Sequence, residues 1–399
     1  MSNVCIMGLG YIGLPTGAVL AAAGHTVLGV DVKPDVVDTI NAGRIHIVEV
    51  GLEDAVKKAV SSGKLKAFTK PQPADVFMIA VPTPFQDNHQ PDMTYVRKAA
   101  DAVAEVLQPG NLVILESTSP VGATRVDVAD IILARRPDLK GNIEFAYCPE
   151  RVLPGRILHE LVENDRVVGG VTPTATAKAA AFYRTFVKGQ VLETTSDTAE
   201  MTKLTENAFR DVNIAFANEL SLVCDKMGIS VWELIRLANH HPRVKILQPG
   251  PGVGGHCIAV DPWFIVAAAP KEARLIRTAR EVNDGKPTWV VGKVMEAIGK
   301  EKAPVVALLG LAYKPDVDDL RESPSVHVAE ELKRATNAKI IVCEPFVDTF
   351  PGFELVSLEK ALDQSNVVVM LTDHSDFKRI PAERLKGKHV IDTRGVWKA

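Results

Sequence analysis

The sequence predicts an α/β protein made of two Rossmann-like, doubly wound domains joined by a long central helix. Three observations carry this expectation. Short apolar runs alternate with amphipathic stretches at both ends of the chain, a glycine-rich turn follows the first apolar run, and residues 198–227 contain neither proline nor glycine. At 399 residues the chain is also too long for one ordinary core. We expect a first nucleotide-type domain over 1–197, a helical middle over 198–300 and a second nucleotide-type domain over 301–399.

The first third reads as strands at 4–9, 27–30, 76–81, 112–115 and 143–146, with helices at 14–23, 36–42 and 96–107 between them. Such alternation implies a parallel sheet covered on both faces, which is why its strands are continuously apolar. Over 198–227 the period changes to that of a helix, with Met201, Leu204, Ala208, Val212, Ala215 and Leu220 on one side. Asp197 or Thr198 can cap its start and Gly228 its end. Alternation resumes after Pro304, with strands at 305–309, 339–342, 367–371 and 389–391 and helices at 325–334 and 358–363. Gly310 after a strand, and Glu344 ending the next one, repeat the plan of the first unit. Two nucleotide-type folds around a helical spine predict two nucleotide-like ligands meeting in a cleft.

Composition excludes other classes. The formal net charge is −3, so no basic field recruits nucleic acid or an anionic membrane. No apolar stretch approaches the roughly 20 residues that span a bilayer, and no targeting segment precedes the glycine motif. Cys5, Cys148, Cys224, Cys257 and Cys343 are scattered, odd in number and without metal-type spacing. That pattern predicts a reducing, cytosolic setting and no metal site.

Gly8-x-Gly10-x-x-Gly13 closes the first strand and opens the first helix. The glycines permit a tight turn, close approach of a pyrophosphate and close helix–sheet packing, with helix N–H groups facing the phosphates. Asp31 follows the second strand at the distance where a ribose hydroxyl is read. An acid there repels a 2′-phosphate and so favours NAD over NADP. Thr83 and Thr118 lie after later strands, open to ribose contact or to plain turn chemistry.

The run 249–257, Pro-Gly-Pro-Gly-Val-Gly-Gly-His-Cys, puts Cys257 on a sharply turned loop. Asp261-Pro262 reads as a cap and first turn of the next helix, whose amides favour a thiolate nearby. The other cysteines fall in strand or helix patterns and read as buried apolar residues. On the spine, Lys203, Asn207 and Arg210 share one face at i, i+4 and i+7. An amine, an amide and a guanidinium opposite an apolar face suit the border of a reaction cleft.

These residues resemble the nucleotide-sugar 6-dehydrogenases, the family of UDP-glucose and GDP-mannose dehydrogenases. The resemblance runs through residues 8–13, 81–84, 117–122, 148–151, 199–207, 252–257 and 310–323, essentially the whole chain. Residues 150–155, 241–244 and 252–260 are most similar to the branch acting on UDP-N-acetyl-D-mannosamine. Val260 stands where the UDP-glucose branch usually has lysine. UDP-N-acetylglucosamine is the alternative substrate.

The resemblance implies oxidation of the sugar C6 hydroxyl to a carboxylate in two NAD-dependent steps, supplying precursors of cell-surface polysaccharide. It assigns acid/base work to Lys203, oxyanion binding to Asn207, a thioester to Cys257, and help to the hydrolytic water to Glu150 or Asp261. Cofactor contacts fall on Gly8, Gly10, Tyr11, Ile12, Gly13, Asp31, Thr83, Thr118, Lys314 and Arg321. Substrate contacts fall on Arg151, Val152, Lys203, Asn207, Arg210, His241, Arg243, Gly254, Tyr313 and Lys314. Arg243 is expected to reach in from a neighbouring subunit, so the protein is expected to be at least a homodimer. Arg321, taken alone, reads equally as a surface partner of Asp318, Asp319 or Glu322. A one-step hydroxyacid dehydrogenase and a non-catalytic NAD-binding regulator are the competing readings. Neither gives Cys257 a task.

Overall fold

The computed structural model describes residues 1–85, 90–255 and 257–397. The chain divides into two compact units, Met1–Glu206 and Asn207–Ala399. Their boundary falls inside one continuous helix, Ser196–Met227, which is the predicted spine. It starts two residues earlier than the periodicity suggests. Thr195 Oγ accepts from the Thr198 N–H, so Thr195 and not Asp197 or Thr198 serves the first turn. Gly228, at φ 68°, closes the helix in the left-handed conformation that favours glycine.

The first unit holds β1 (Asn3–Met7), β2 (Thr26–Val30), β3 (Leu65–Phe68), β4 (Val76–Ile79), β5 (Leu112–Leu115), β6 (Glu144–Tyr147), β7 (Arg166–Gly170) and β8 (Val191–Thr195). They form one sheet in the order β3-β2-β1-β4-β5-β6-β7-β8. The order reverses beside β1, which makes the carboxyl ends of β1 and β4 the place where such sheets bind ligands. Val4 and Ile6 pack into one core and Cys5 and Met7 into another, on the two faces of β1. Both faces are covered, as the unbroken apolar run requires.

The sequence pattern did not signal β3, β7 or β8. Strand β8 is an edge strand with exposed residues, and β7 begins with arginine and ends in two glycines. Those glycines are packing necessities. A Cβ on Gly169 would lie 2.1 Å from the Thr195 carbonyl oxygen, and one on Gly170 would lie 2.3 Å from the Thr176 nitrogen. Strand β7 also departs from the expected parallel sheet, pairing antiparallel to β6 with Ala146 opposite Gly170 and Tyr147 opposite Gly169.

The second unit carries β9 (Val305–Leu309), β10 (Lys339–Cys343), β11 (Glu354–Leu355), β12 (Val367–Met370) and β13 (His389–Asp392) in the parallel order β11-β10-β9-β12-β13. The first five strands of the other sheet have the same arrangement, so the second unit repeats the first in plan. Val306 and Leu308 face one core and Ala307 and Leu309 the other. The helices Asp261–Ala268 and Arg274–Ile298 belong to this unit. Among the described residues no helix is long and apolar enough to cross a membrane.

Candidate active site

In the first unit, each fingerprint glycine has a separate reason to be glycine. Gly8 sits at φ 93°, and a Cβ there would meet the Ala80 carbonyl oxygen at 2.6 Å. A Cβ on Gly13 would fall 1.8 Å from the Gly8 oxygen, which is the close helix–strand contact of the motif. Gly10 differs, because a Cβ there would meet nothing within 4 Å. The protein itself does not demand glycine at that position, whereas a pyrophosphate lying against the backbone does. The helix that follows, Gly13–Ala22, has no side-chain cap, and in its first turn Leu14 N donates to the Gly10 carbonyl at 3.2 Å. Ile12 is its cap residue and Tyr11 stands exposed beside it. Asp31, one residue past β2, accepts from Leu9 N at 3.3 Å and Lys33 N at 3.0 Å. These features fit a dinucleotide.

Thr83 and Thr118 lie in the loops after β4 and β5, and neither side chain makes a hydrogen bond among the described residues. The neighbouring hydroxyl of Ser117 is committed to the Val81 carbonyl at 2.7 Å. Glu200, fully buried on the spine, accepts from Gly122 N, Thr124 N and Thr124 Oγ at 2.6, 2.8 and 2.6 Å. It thereby ties the Thr118 loop to the helix turn preceding Lys203. The sequence reading missed Glu200 as a functional support, although it lies inside the matched stretch 199–207.

Glu150 is buried after β6, with Oε2 held by Arg166 Nη1 at 2.9 Å and Oε1 by Arg151 N at 2.6 Å. Extending the antiparallel register of β6 and β7 sets Glu150 opposite Arg166. The Arg151 guanidinium pairs with Glu206 at 2.7 Å and donates to the Asp165 carbonyl. Val152 is half-buried in the same loop, and Lys203 is half-buried on the spine.

In the second unit, Asn207 Nδ2 donates to Asp261 Oδ2 at 2.5 Å. Asp261 is not the cap that its sequence suggests. Val260 holds that position, and Asp261 and Pro262 are the first helical residues, leaving the buried carboxylate to serve Asn207. Val260 N and Asp261 N both donate to the Cys257 carbonyl, at 3.0 and 2.8 Å, so Cys257 sits one turn before this helix. It is half-buried, while the other four cysteines are buried. His256, part of the glycine run, lies outside the described residues.

The glycines before Cys257 let the chain press against residues 313–324. A Cβ on Gly254 would meet the Glu322 oxygen at 2.4 Å, and one on Gly255 the Tyr313 ring at 2.9 Å. Gly255 N donates to the Arg321 carbonyl at 3.1 Å. Tyr313 is thereby brought beside Cys257. Burial, then the Asp319 carboxylate and Cys257, push its hydroxyl above the ordinary value. The Lys314 ammonium lies 5.7 Å from the centre of the Tyr313 ring. The Arg321 guanidinium grips Asp319 at 2.8 and 2.7 Å, the surface pair that its neighbours suggested. Arg210, His241 and Arg243 are exposed.

Glu344 occupies the position in the second unit that Asp31 occupies in the first, but its carboxylate is spent internally. It accepts from Leu311 N at 2.6 Å, Ala312 N at 3.0 Å and His374 Nε2 at 3.1 Å. Burial works to raise this carboxyl, and the hydrogen bonds from His374 and from the Leu311 and Phe346 amides outweigh it and lower it. The second fold thus uses its strand-end acid to hold the 311–316 loop, which carries Tyr313 and Lys314.

Comparison with known proteins agrees with both units. Residues 2–187 match the NAD-binding domain of the UDP-glucose/GDP-mannose dehydrogenase family, 197–285 its central domain and 307–399 its UDP-binding domain. The chain is 56% identical over 417 residues to a UDP-N-acetyl-D-mannosamine dehydrogenase of Yersinia pestis, covering 99% of both. It is 55% identical over 409 residues to an NDP-N-acetyl-D-galactosaminuronic acid dehydrogenase of Ralstonia nicotianae, covering all of this chain and 96% of that one. A structure of the UDP-N-acetyl-mannosamine dehydrogenase Cap5O of S. aureus superposes with a TM-score of 0.90 at 42% identity, covering 100% of this chain and 96% of that one. The chain belongs to the UDP-glucose/GDP-mannose dehydrogenase family and is an NAD-dependent nucleotide-sugar dehydrogenase.

Proposed function

We propose that this enzyme oxidises the C6 hydroxyl of UDP-N-acetyl-D-mannosamine to the carboxylate, through an aldehyde and a thioester on Cys257. The observation that carries the reading is the placing of Cys257. It is the one cysteine of five that is not buried, on a glycine loop pressed against Tyr313 and one turn before a helix. NAD supplies the hydride acceptor in both oxidations. Lys203 takes the hydroxyl proton in the first, and Asn207, oriented by Asp261, holds the developing oxyanion. The Cys257 sulfur adds to the aldehyde, and loss of the second hydride from that adduct leaves the thioester. Water then cleaves the C–S bond. We assign the water proton to Glu150 or Asp261, each a buried carboxylate. Arg151, Val152, Arg210, His241, Arg243, Gly254, Tyr313 and Lys314 would contact the substrate. Tyr11, Ile12, Asp31, Thr83, Thr118 and Arg321 would contact the cofactor.

We also propose a homodimer at least, working in the cytosol. Phe209, Phe216, Val223 and Met227 stand 70, 52, 47 and 65% exposed along the spine. The first three recur every seven residues, the spacing of a helix seam that a second copy of the chain would cover. The identity to a galactosaminuronic acid dehydrogenase favours a second reading, in which an N-acetylgalactosamine nucleotide is the substrate. Purified protein with NAD and a panel of UDP-N-acetylhexosamines decides both points. Two NADH per sugar and an acid product are expected with the mannosamine epimer. One NADH per sugar refutes the four-electron reading.

A further inference from the structure

Asn207 and Asn218 lie about three turns apart on the spine, and so share one face with roughly 16 Å between them along the helix. Each fastens one end of the run that carries Cys257. Asn207 Nδ2 donates to Asp261, beyond the cysteine, and Asn218 Oδ1 accepts from Gly250 N at 2.9 Å, before it. Between these ends Gly255 N donates to the Arg321 carbonyl at 3.1 Å. Gly252 lies against the helix Arg274–Ile298. A Cβ on it would lie 3.2 Å from the Asn283 carbonyl oxygen and 3.4 Å from Pro287 Cδ. Pro287 has no N–H to give that carbonyl, so the helix makes no bond to it from one turn on, at the point where the run passes.

The Asn218 amide belongs to a buried relay. Its Nδ2 donates to Asn283 Oδ1 at 2.8 Å. Asn283 Nδ2 donates to Asp211 Oδ1 at 2.8 Å and to the Asp211 carbonyl at 3.1 Å. Arg280 Nη1 donates to the same Asp211 Oδ1 at 2.7 Å. All four side chains are buried. The direction of the relay is set from the Arg280 end. A guanidinium only donates, so Asp211 Oδ1 accepts whether or not the carboxyl holds a proton. Asn283 must then turn its NH2 to Asp211 and its oxygen to Asn218. Asn218 turns its own NH2 to that oxygen, which leaves its Oδ1 for Gly250. A flipped amide would withdraw the acceptor and leave a buried N–H unsatisfied.

We propose that Asn218 is a positioning residue for Cys257. Its oxygen, aimed by Asn283, holds the root of the glycine run on the spine. With Asn207 at the other end, it sets where the run delivers the sulfur. This rests on the reading that Cys257 is the nucleophile of the second oxidation. In that step the sulfur bonds to the aldehyde carbon, and the carbonyl oxygen takes the thiol proton to become a hydroxyl. A hydride then passes from that carbon to NAD while the hydroxyl proton leaves, which gives the thioester.

The test is the NADH formed per sugar consumed by the full-length enzyme, with excess NAD and a hydrazine to trap aldehyde. This ratio does not depend on how much of the protein is folded. The wild type should give two. Asn218→Leu should move the ratio toward one, with trapped aldehyde in matching yield and the second oxidation slowed about tenfold or more. KM for sugar and NAD should stay within about twofold. Asn218→Ser, whose hydroxyl is too short to meet both Gly250 and Asn283, should act alike and stands in if Asn218→Leu does not fold. Ser221→Ala is the control for loss of a buried polar group on the spine. Its hydroxyl bonds the Asn218 carbonyl and the Lys286 ammonium, and its ratio should stay at two. A ratio of two in the Asn218 variants, or an equal fall in Ser221→Ala, overturns the proposal. The thioester reading is judged separately by Cys257→Ser. If that variant also yields two NADH per sugar, the reading itself fails, whatever the Asn218 variants show.

Discussion

Asn207 and Asp261 are joined by a 2.5 Å side-chain hydrogen bond across 54 positions of sequence. The bond fixes the polar face of the spine to the helix that follows Cys257. Replacing Asn207 by Ala removes a donor from a buried carboxylate, which should cost about 1–3 kcal/mol of stability. It should also lower kcat more than it raises KM for the sugar. Urea unfolding and initial NADH rates measure the two effects, and an unchanged kcat would show that the amide serves only packing.

The glycine loop permits a sharper separation of fold from ligand. Gly13→Ala puts a methyl 1.8 Å from the Gly8 oxygen and should destabilise the first unit by roughly 3 kcal/mol or more. Gly10→Ala meets no protein atom within 4 Å, so it should leave stability within about 1 kcal/mol. It should nonetheless raise KM for NAD by about tenfold or more. Thermal unfolding without NAD, alongside NAD titration, distinguishes the two. Equal loss of stability in both variants would mean that Gly10 also has a structural task.

Cys257→Ser should stop net turnover while sparing the first oxidation. An aldehyde has no hydroxyl to oxidise until a nucleophile adds to it, and a serine hydroxyl without an adjacent base adds poorly. Intact-protein mass and an aldehyde trap should find either a stable ester or traces of aldehyde. Cys148→Ser and Cys224→Ser, at buried positions, should change mainly stability. Near-normal production of acid by Cys257→Ser would rule out the covalent route.

A charge in the exposed spine seam should separate subunits. Phe216→Glu is expected to yield a monomer by sedimentation, with the fold retained by circular dichroism. In the intact assembly, mixing Arg243→Ala with Cys257→Ala subunits should recover part of the activity if Arg243 serves the neighbour's site. A dimeric Phe216→Glu protein would place the interface elsewhere.

Glu116 gives stability a definite pH dependence. Its folded value, about 7, lies above the ordinary 4.5. Between those values the unfolded chain loses the proton and the folded chain keeps it. The contribution to stability is therefore fully present below pH 4.5 and is lost as pH rises through about 7. The full difference is of order 3 kcal/mol. Glu116→Gln should flatten this slope, so that urea unfolding at pH 5 and pH 8 differs less in the variant. An equal slope in both proteins would show that Glu116 ionises normally.

The strands β1, β2, β4, β5 and β6, the spine and the cofactor loop were legible in the sequence because each is written in local terms. Gly8, Gly10 and Gly13 mark one turn, and a thirty-residue stretch without glycine or proline can hardly be anything but a helix. Cys257 stood out for the same reason, since the glycines before it serve a loop and little else. What the sequence could not show was which distant residue would meet each polar group. Strand β7 reads as a loop until Thr195 and Thr176 explain its glycines, and only its antiparallel pairing sets Arg166 against Glu150. Asp31 and Glu344 look alike as strand-end acids. Yet Asp31 takes one amide of the glycine loop, whereas Glu344 takes three amides and a buried histidine. Hydrophobic periodicity records which face of an element is buried. The partner of a buried charge is decided only when the sheets close, because a desolvated carboxylate must be satisfied by whatever donor the topology brings to it.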